Sequence, residues 1–106
     1  MKTAVIHLEI KADKLKDFTL LWNQIISEAK KEKGFINGLL LTQTEASKCL
    51  ALGFWDSYEN AKAFGSKEIY QKFLTSAKDL LISAPRREFY DILGDVSGLL
   101  PLKKVA

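Results

Sequence analysis

Four residues, EASK at 45–48, separate two apolar runs, FINGLLLTQT at 35–44 and CLALGFW at 49–55. A parallel crossover needs a dozen or more residues, so two strands joined this closely pair as an antiparallel hairpin. That hairpin constrains the whole chain. A helical pattern stands on each side of it, and a further strand pattern lies beyond each helix.

Residues 3–11, TAVIHLEIK, are rich in β-branched residues and alternate, which predicts the first strand. Asp13 offers an N-cap for a helix over about 14–33. There Leu15, Phe18, Trp22, Ile25 and Ala29 recur at helical spacing, and Leu21 and Ile26 widen the stripe. Lysines 30, 31 and 33 suit the negative end of the helix dipole, and Gly34 is a natural stop. After the hairpin, Ser57 is the N-cap of a short helix carrying Tyr58, Ala61 and Phe64. Gly65 breaks it. Ser66 then caps a second segment over 67–83, with Ile69, Tyr70, Phe73, Leu74, Ala77, Leu80 and Leu81. Pro85 forbids continuation, and REFYDIL at 87–93 reads as the last strand.

The order is β-α-β-β-α-β. Its right-handed solution is an α+β, ferredoxin-like split βαβ: a four-stranded antiparallel sheet, both helices on one face, the first strand central. The strands are apolar on both faces, however. Ile6, Leu8 and Ile10 oppose Val5; Leu50, Leu52 and Phe54 oppose Cys49, Ala51 and Gly53. Exposed apolar surface costs about 25 cal/mol per Å², and large patches of it mark interfaces. The expected partner for the uncovered face is a second copy, sheet against sheet, in a homodimer.

With 106 residues the chain reads as one domain, 1–93, and a tail, 94–106. Two glycines and a proline give the tail no regular structure. Its Leu99, Leu100, Leu102 and Val105 are expected to pack on the domain or the partner subunit. The net charge of +3 comes from lysines scattered among acids, not from a basic stripe, which argues against a nucleic-acid partner. No apolar stretch approaches the roughly 20 residues of a membrane span. The N-terminus reads as a strand, not a signal peptide. Cys49 is the single cysteine, so no internal disulfide forms and a reducing cytoplasm is the expected compartment. There is no Gly-rich phosphate loop, no Cys/His metal spacing and no G-x-S-x-G elbow. Flavin or nicotinamide binding would need elements for which the chain has no room, so no cofactor is expected.

The stretch from Trp55-Asp56-Ser57 into Glu59-Asn60-Ala61-Lys62-Ala63-Phe64 resembles the W-[DE]-S-x-E-A-x-x-A-F element of antibiotic-biosynthesis-monooxygenase-like (ABM) domains. Gly34-Phe35-Ile36-Asn37-Gly38 is similar to the family's G-F-x-G step into its second strand. The resemblance spans roughly residues 3–93 and implies a dimeric α/β barrel. It also implies a range of activities: cofactor-free oxidation of aromatic polyketides or quinols with O₂, haem binding and cleavage, or neither. Leu41-Thr42-Gln43-Thr44 and Trp55 are similar to the haem cleavers. Those proteins use an asparagine, a tryptophan and a histidine ligand where this chain has His7, Phe64 and Leu74. Leu74 cannot ligate iron, so the departures argue against haem cleavage.

A cofactor-free oxygenase needs a base. Deprotonating a phenol or enol gives an anion that passes an electron to O₂. His7 is the only histidine and is the candidate. Glu9, two residues on and about 6.5–7 Å away on the same strand face, is placed to orient it. The other reading of His7 is a structural histidine satisfied by one hydrogen bond. Trp22, Phe64, Tyr70, Phe73, Leu74 and Tyr90 are the candidate walls and hydroxyls of a ligand pocket. For Trp22 the alternative is ordinary core packing. Cys49, Ala51 and Gly53 alternate as a small-residue face. If turned to the helices, they leave room for a small aromatic ligand or allow close helix–sheet packing. Trp55 reads as a packing residue at the strand end. The first functional expectation is a cofactor-independent monooxygenase of a small aromatic or quinol-like substrate. The rival is a non-catalytic barrel that binds a small hydrophobic ligand in a stress or regulatory role.

Overall fold

The computed structural model describes residues 1–43 and 47–94. The expected contacts of Leu99, Leu100, Leu102 and Val105 lie outside the described residues. The elements are β1 (Lys2–Glu9), α1 (Leu15–Ala29), β2 (Phe35–Thr42), β3 (Lys48–Trp55), α2 (Tyr58–Gly65), α3 (Glu68–Ala77), a 3₁₀ turn (Lys78–Leu80) and β4 (Arg86–Asp91). The strands form one antiparallel sheet in the order β2-β3-β1-β4. This is the ferredoxin-like arrangement, with β1 inside the sheet.

The local signals act mostly as their chemistry dictates. Ser57 caps α2, its hydroxyl accepting from the Asn60 amide at 3.2 Å. Gly34 has φ +83°, the left-handed conformation that glycine adopts without strain. Asp13 does not cap α1; Lys14 takes the N-cap position and no side chain bonds there. Ser66 does not cap α3 either. It ends α2 as C-cap, Gly65 being the last residue of that helix, and Lys67 precedes α3. The long segment expected over 67–83 stops at Ala77, because Leu81 leaves the helix to bridge Ile10.

Register decides which face each side chain occupies. Ile6 lies opposite Ala51 and Arg87, and Leu8 opposite Cys49. These residues turn to the helices. Ile6, Leu8, Ile10, Cys49, Ala51 and Trp55 share the core with Phe18, Trp22, Ile25, Phe64, Tyr70 and Phe73. The small face of β3 is therefore the helix side. Its other face, Leu50, Leu52 and Phe54, pairs with His7, Val5 and Thr3 away from the helices. In β2 one extra residue, Ile36, separates Phe35, opposite Trp55, from Asn37, opposite Phe54. That bulge switches the alternation, so Phe35 packs on the core while Leu39 and Leu41 join the face turned away from the helices, where Thr3, Val5 and Phe54 are buried and Leu41 and Leu50 are exposed. Among the described residues, no helix is long and apolar enough to cross a membrane.

Candidate functional site

Two hollows face opposite ways across the sheet. The inner one lies between sheet and helices, walled by Trp22, Phe35, Trp55, Phe64, Tyr70 and Phe73 and floored by Ala51 and Gly53. Its aromatic rings interlock. Trp55 meets Phe35 edge-on at 5.1 Å and Phe64 at 5.5 Å, and Phe64 meets Tyr70 at 5.7 Å. Trp55 is only 2% exposed, which suits a packing residue that also forms part of the wall. On the far side Gly38 of β2 lets α1 approach. A Cβ there would stand 2.6 Å from Ile26 Cδ1.

Among the described residues, Arg87 is the one charged residue lining this chamber. Its guanidinium lies between two rings, 4.9 Å from the Tyr70 centroid and 4.7 Å from that of Phe89. Nη2 donates to the Ala61 carbonyl oxygen at 3.1 Å, midway along α2. Nε is buried and has no hydrogen-bond partner among the described residues. Burial pushes the Tyr70 phenol above its ordinary range, and the Arg87 charge partly opposes that shift. Tyr70 is thus a protonated hydroxyl beside a cation. The unfilled space is about 40 Å³. That is room for a water or two and well short of the roughly 150 Å³ that admits benzene. A flat ligand enters only if the wall moves. Ile26 and Phe35 of that wall are both half-buried.

The outer hollow, about 370 Å³, lies at one end of the face turned away from the helices, lined by His7, Glu9, Lys48, Leu50, Ser83 and Arg86. Its partner for His7 is not Glu9. Nε2 of His7 lies 2.6 Å from Oε1 of Glu88 on the neighbouring strand. The Tyr90 hydroxyl donates to the same oxygen at 3.0 Å, and Arg86 Nη1 stands 3.4 Å from the other. The hydrogen bond from Tyr90 holds the Glu88 carboxyl below its ordinary range. Desolvation opposes this, and the bond from His7 and the Arg86 charge reinforce it. The same bond pushes the Tyr90 phenol up.

The eight residues expected to share one pocket therefore divide. Trp22, Phe64, Tyr70 and Phe73 line the inner chamber. His7 and Glu9 line the outer hollow, and Tyr90, 48% exposed, shares their face. Leu74 belongs to neither; it borders a surface groove with Leu81 and Ile82. The sheet separates His7 from the aromatic chamber, so His7 cannot serve as base for a ligand bound there. Arg87 and Glu88 were not anticipated. Adjacent in sequence, they point to opposite faces because strand side chains alternate. Finding either as a partner requires the β1–β4 register, which no spacing along the chain encodes.

No protein-family model matches the chain, and no curated protein sequence matches it. Solved structures do. A structure of SnoaB, a cofactor-independent oxygenase from Streptomyces nogalater, aligns with TM-score 0.78 at 11% identity, covering 91% of this chain and 96% of that one. A structure described as an antibiotic biosynthesis monooxygenase aligns with TM-score 0.75 at 9% identity, covering 89% of this chain and all of that one. Rv0793 from Mycobacterium tuberculosis aligns with TM-score 0.75 at 15% identity over 92% of this chain. At such identities the likeness speaks to architecture: this chain has the fold of the antibiotic biosynthesis monooxygenase domain.

Proposed function

We propose that the protein is a cofactor-independent oxygenase of a small phenolic or quinol-like substrate, bound in the inner chamber with its ionising oxygen on Arg87. The observation that carries this reading is the Arg87 guanidinium. It stands in an otherwise apolar, aromatic wall with a buried Nε–H that no described acceptor meets. A cation there favours the phenolate or enolate over the neutral substrate. The anion is electron-rich enough to reduce O₂, and the apolar rings exclude water from the radical pair. Neither Tyr70 nor Arg87 is a base at neutral pH, so the proton leaves to solvent as the anion settles. With a phenol, or its keto tautomer with a ring CH₂, conversion of the ring carbon to C=O takes up one oxygen atom, and the other leaves as water with the hydrogens from that carbon and the phenol hydroxyl, with no external reductant. A cofactor-independent oxygenase of the same fold, SnoaB, supports the reading.

A second reading is favoured by the outer hollow. It is large enough for a small ring, and the short His7–Glu88 contact makes His7 its natural base. We further propose that a second copy of the chain covers the exposed part of the sheet face turned away from the helices. Leu41 is 46% and Leu50 37% exposed there.

The test is O₂ uptake with an anthrone, a quinol and a simple phenol, in the presence of a chelator. Uptake that falls at least about tenfold in Arg87→Gln and is unchanged in His7→Ala is the expected result. Loss in His7→Ala alone moves the chemistry to the outer hollow. Tight binding of the probes without uptake establishes the non-catalytic ligand-binding rival.

A further inference from the structure

We propose that His7 makes the pairing of two copies pH-sensitive, so that the dimer weakens in acid. The inference rests on the sheet-to-sheet pairing proposed above.

Among the described residues, the charged groups around His7 on the face turned away from the helices are Glu9 from β1, Lys48 from β3, and Arg86 and Glu88 from β4. The helices contribute none, because they lie on the other side of the sheet. Two of these groups are positive and two negative, so among the described residues the charges around His7 cancel while His7 is neutral. Such a face meets its own copy without net repulsion, and the leucines of β2 and β3 beside it provide apolar surface to bury. A second copy is therefore the occupant that both halves of the face fit.

A proton on His7 breaks the balance. Glu88 already accepts from Tyr90 and faces Arg86 at 3.4 Å. Among the described residues the one further acid beside it is Glu9, which stands opposite Lys48. The His7–Glu88 contact exists in the single chain as well, so it contributes to both states. What differs is the surplus positive charge, one per copy. Water screens it on a free face, whereas a closed interface holds two such charges in a low-dielectric layer. Protonation therefore costs the dimer more than the monomer. Histidine is the only side chain that ordinarily changes charge between about pH 5 and 8, and His7 is the only one in the chain.

The experiment is sedimentation equilibrium of the full chain at pH 7.5 and 5.5, at one ionic strength. For the wild type the dimer Kd is expected to rise at least about tenfold at the lower pH. In His7→Gln it is expected to change less than about twofold. Glu88→Gln gives an independent arm. It leaves the face one charge positive at neutral pH, so it should weaken the dimer at pH 7.5. A wild-type dimer indifferent to pH overturns the proposal, as does a His7→Gln dimer that keeps the dependence. A wild-type monomer at pH 7.5 overturns the pairing and this inference with it, whereas a stable dimer with flat pH response overturns only the switch.

Discussion

Gly65 lies directly beneath the guanidinium of Arg87: a Cβ at that position would collide with Nη1 and press on Cζ at 3.0 Å. The last residue of α2 thus makes room for the charge that lines the chamber. Two effects oppose each other in Gly65→Ala. Alanine favours a helix over glycine by about 1 kcal/mol. Overpacking against a held guanidinium costs about 1–3 kcal/mol. The clash is expected to win, with the urea midpoint falling and Arg87-dependent O₂ uptake lost. In an Arg87→Ala background the clash is gone, so Gly65→Ala should stabilise. A double-mutant cycle by urea denaturation reads that change of sign. The same sign in both backgrounds would show that Gly65 does not serve Arg87.

Glu88 makes a different prediction, about acid. The folded protein holds its carboxyl below the ordinary 4.5, chiefly through the Tyr90 hydroxyl. A depressed folded pKa means stability that is fully present above the unfolded value and is lost as pH falls through the folded one. The contribution of Glu88 is therefore complete above about pH 5 and disappears below the carboxylate range. Tyr90→Phe removes the leading cause, so the Glu88 carboxyl should titrate closer to 4.5. A carboxyl-detected NMR titration measures this directly. An unmoved Glu88 in Tyr90→Phe would assign the shift to His7 and Arg86 instead.

Much of this architecture is legible in the order of residues, and the reasons differ from element to element. The hairpin follows from connection length, α2 from Ser57, and the small face of β3 from strict alternation. The failures share one cause. Val5 and Ile6 are both apolar, so alternation in β1 places His7 opposite Ile6 without saying which of them meets the helices. Only the pairing of Ile6 with Ala51 and Arg87 settles that. Glu88 was missed for the same reason. Glu9 is the nearest acid along the strand, but Glu88 is the nearest across it. Leu81 left its expected helix because a bridge to Ile10, far away in sequence, competed with one more turn. Long-range register overrides local period in each case.

The Ser57 cap supports a site as well as a helix. It starts the helix that carries both Ala61, whose carbonyl oxygen accepts from Arg87, and Phe64. Ser57→Ala leaves the Asn60 amide without its acceptor and should cost about 1 kcal/mol, whereas Ser57→Asp keeps an acceptor and should cost little. Thermal or urea unfolding separates the two. Equal losses would mean that the hydroxyl bond is not what holds the start of α2.

Phe64 tests whether the chamber is a site held shut or a core and nothing more. It is 5% exposed and stands between Trp55 and Tyr70. Removing its ring should cost about 3–5 kcal/mol, a large share of what a domain of this size has to lose. Phe64→Leu is the gentler companion in case the alanine variant unfolds. The lost ring enlarges a space of about 40 Å³ whose other walls stay aromatic and apolar. A dry cavity of that kind takes up benzene once it is large enough. Benzene should therefore raise the melting temperature of the variant more than that of the wild type, because a ligand that binds only the folded state stabilises it in proportion to occupancy. If the walls instead collapse onto the vacated space, benzene has no effect on the variant and the destabilisation falls toward the low end of the range. Benzene stabilising the wild type equally would mean that the Ile26–Phe35 wall already opens in solution, which is the motion substrate entry requires.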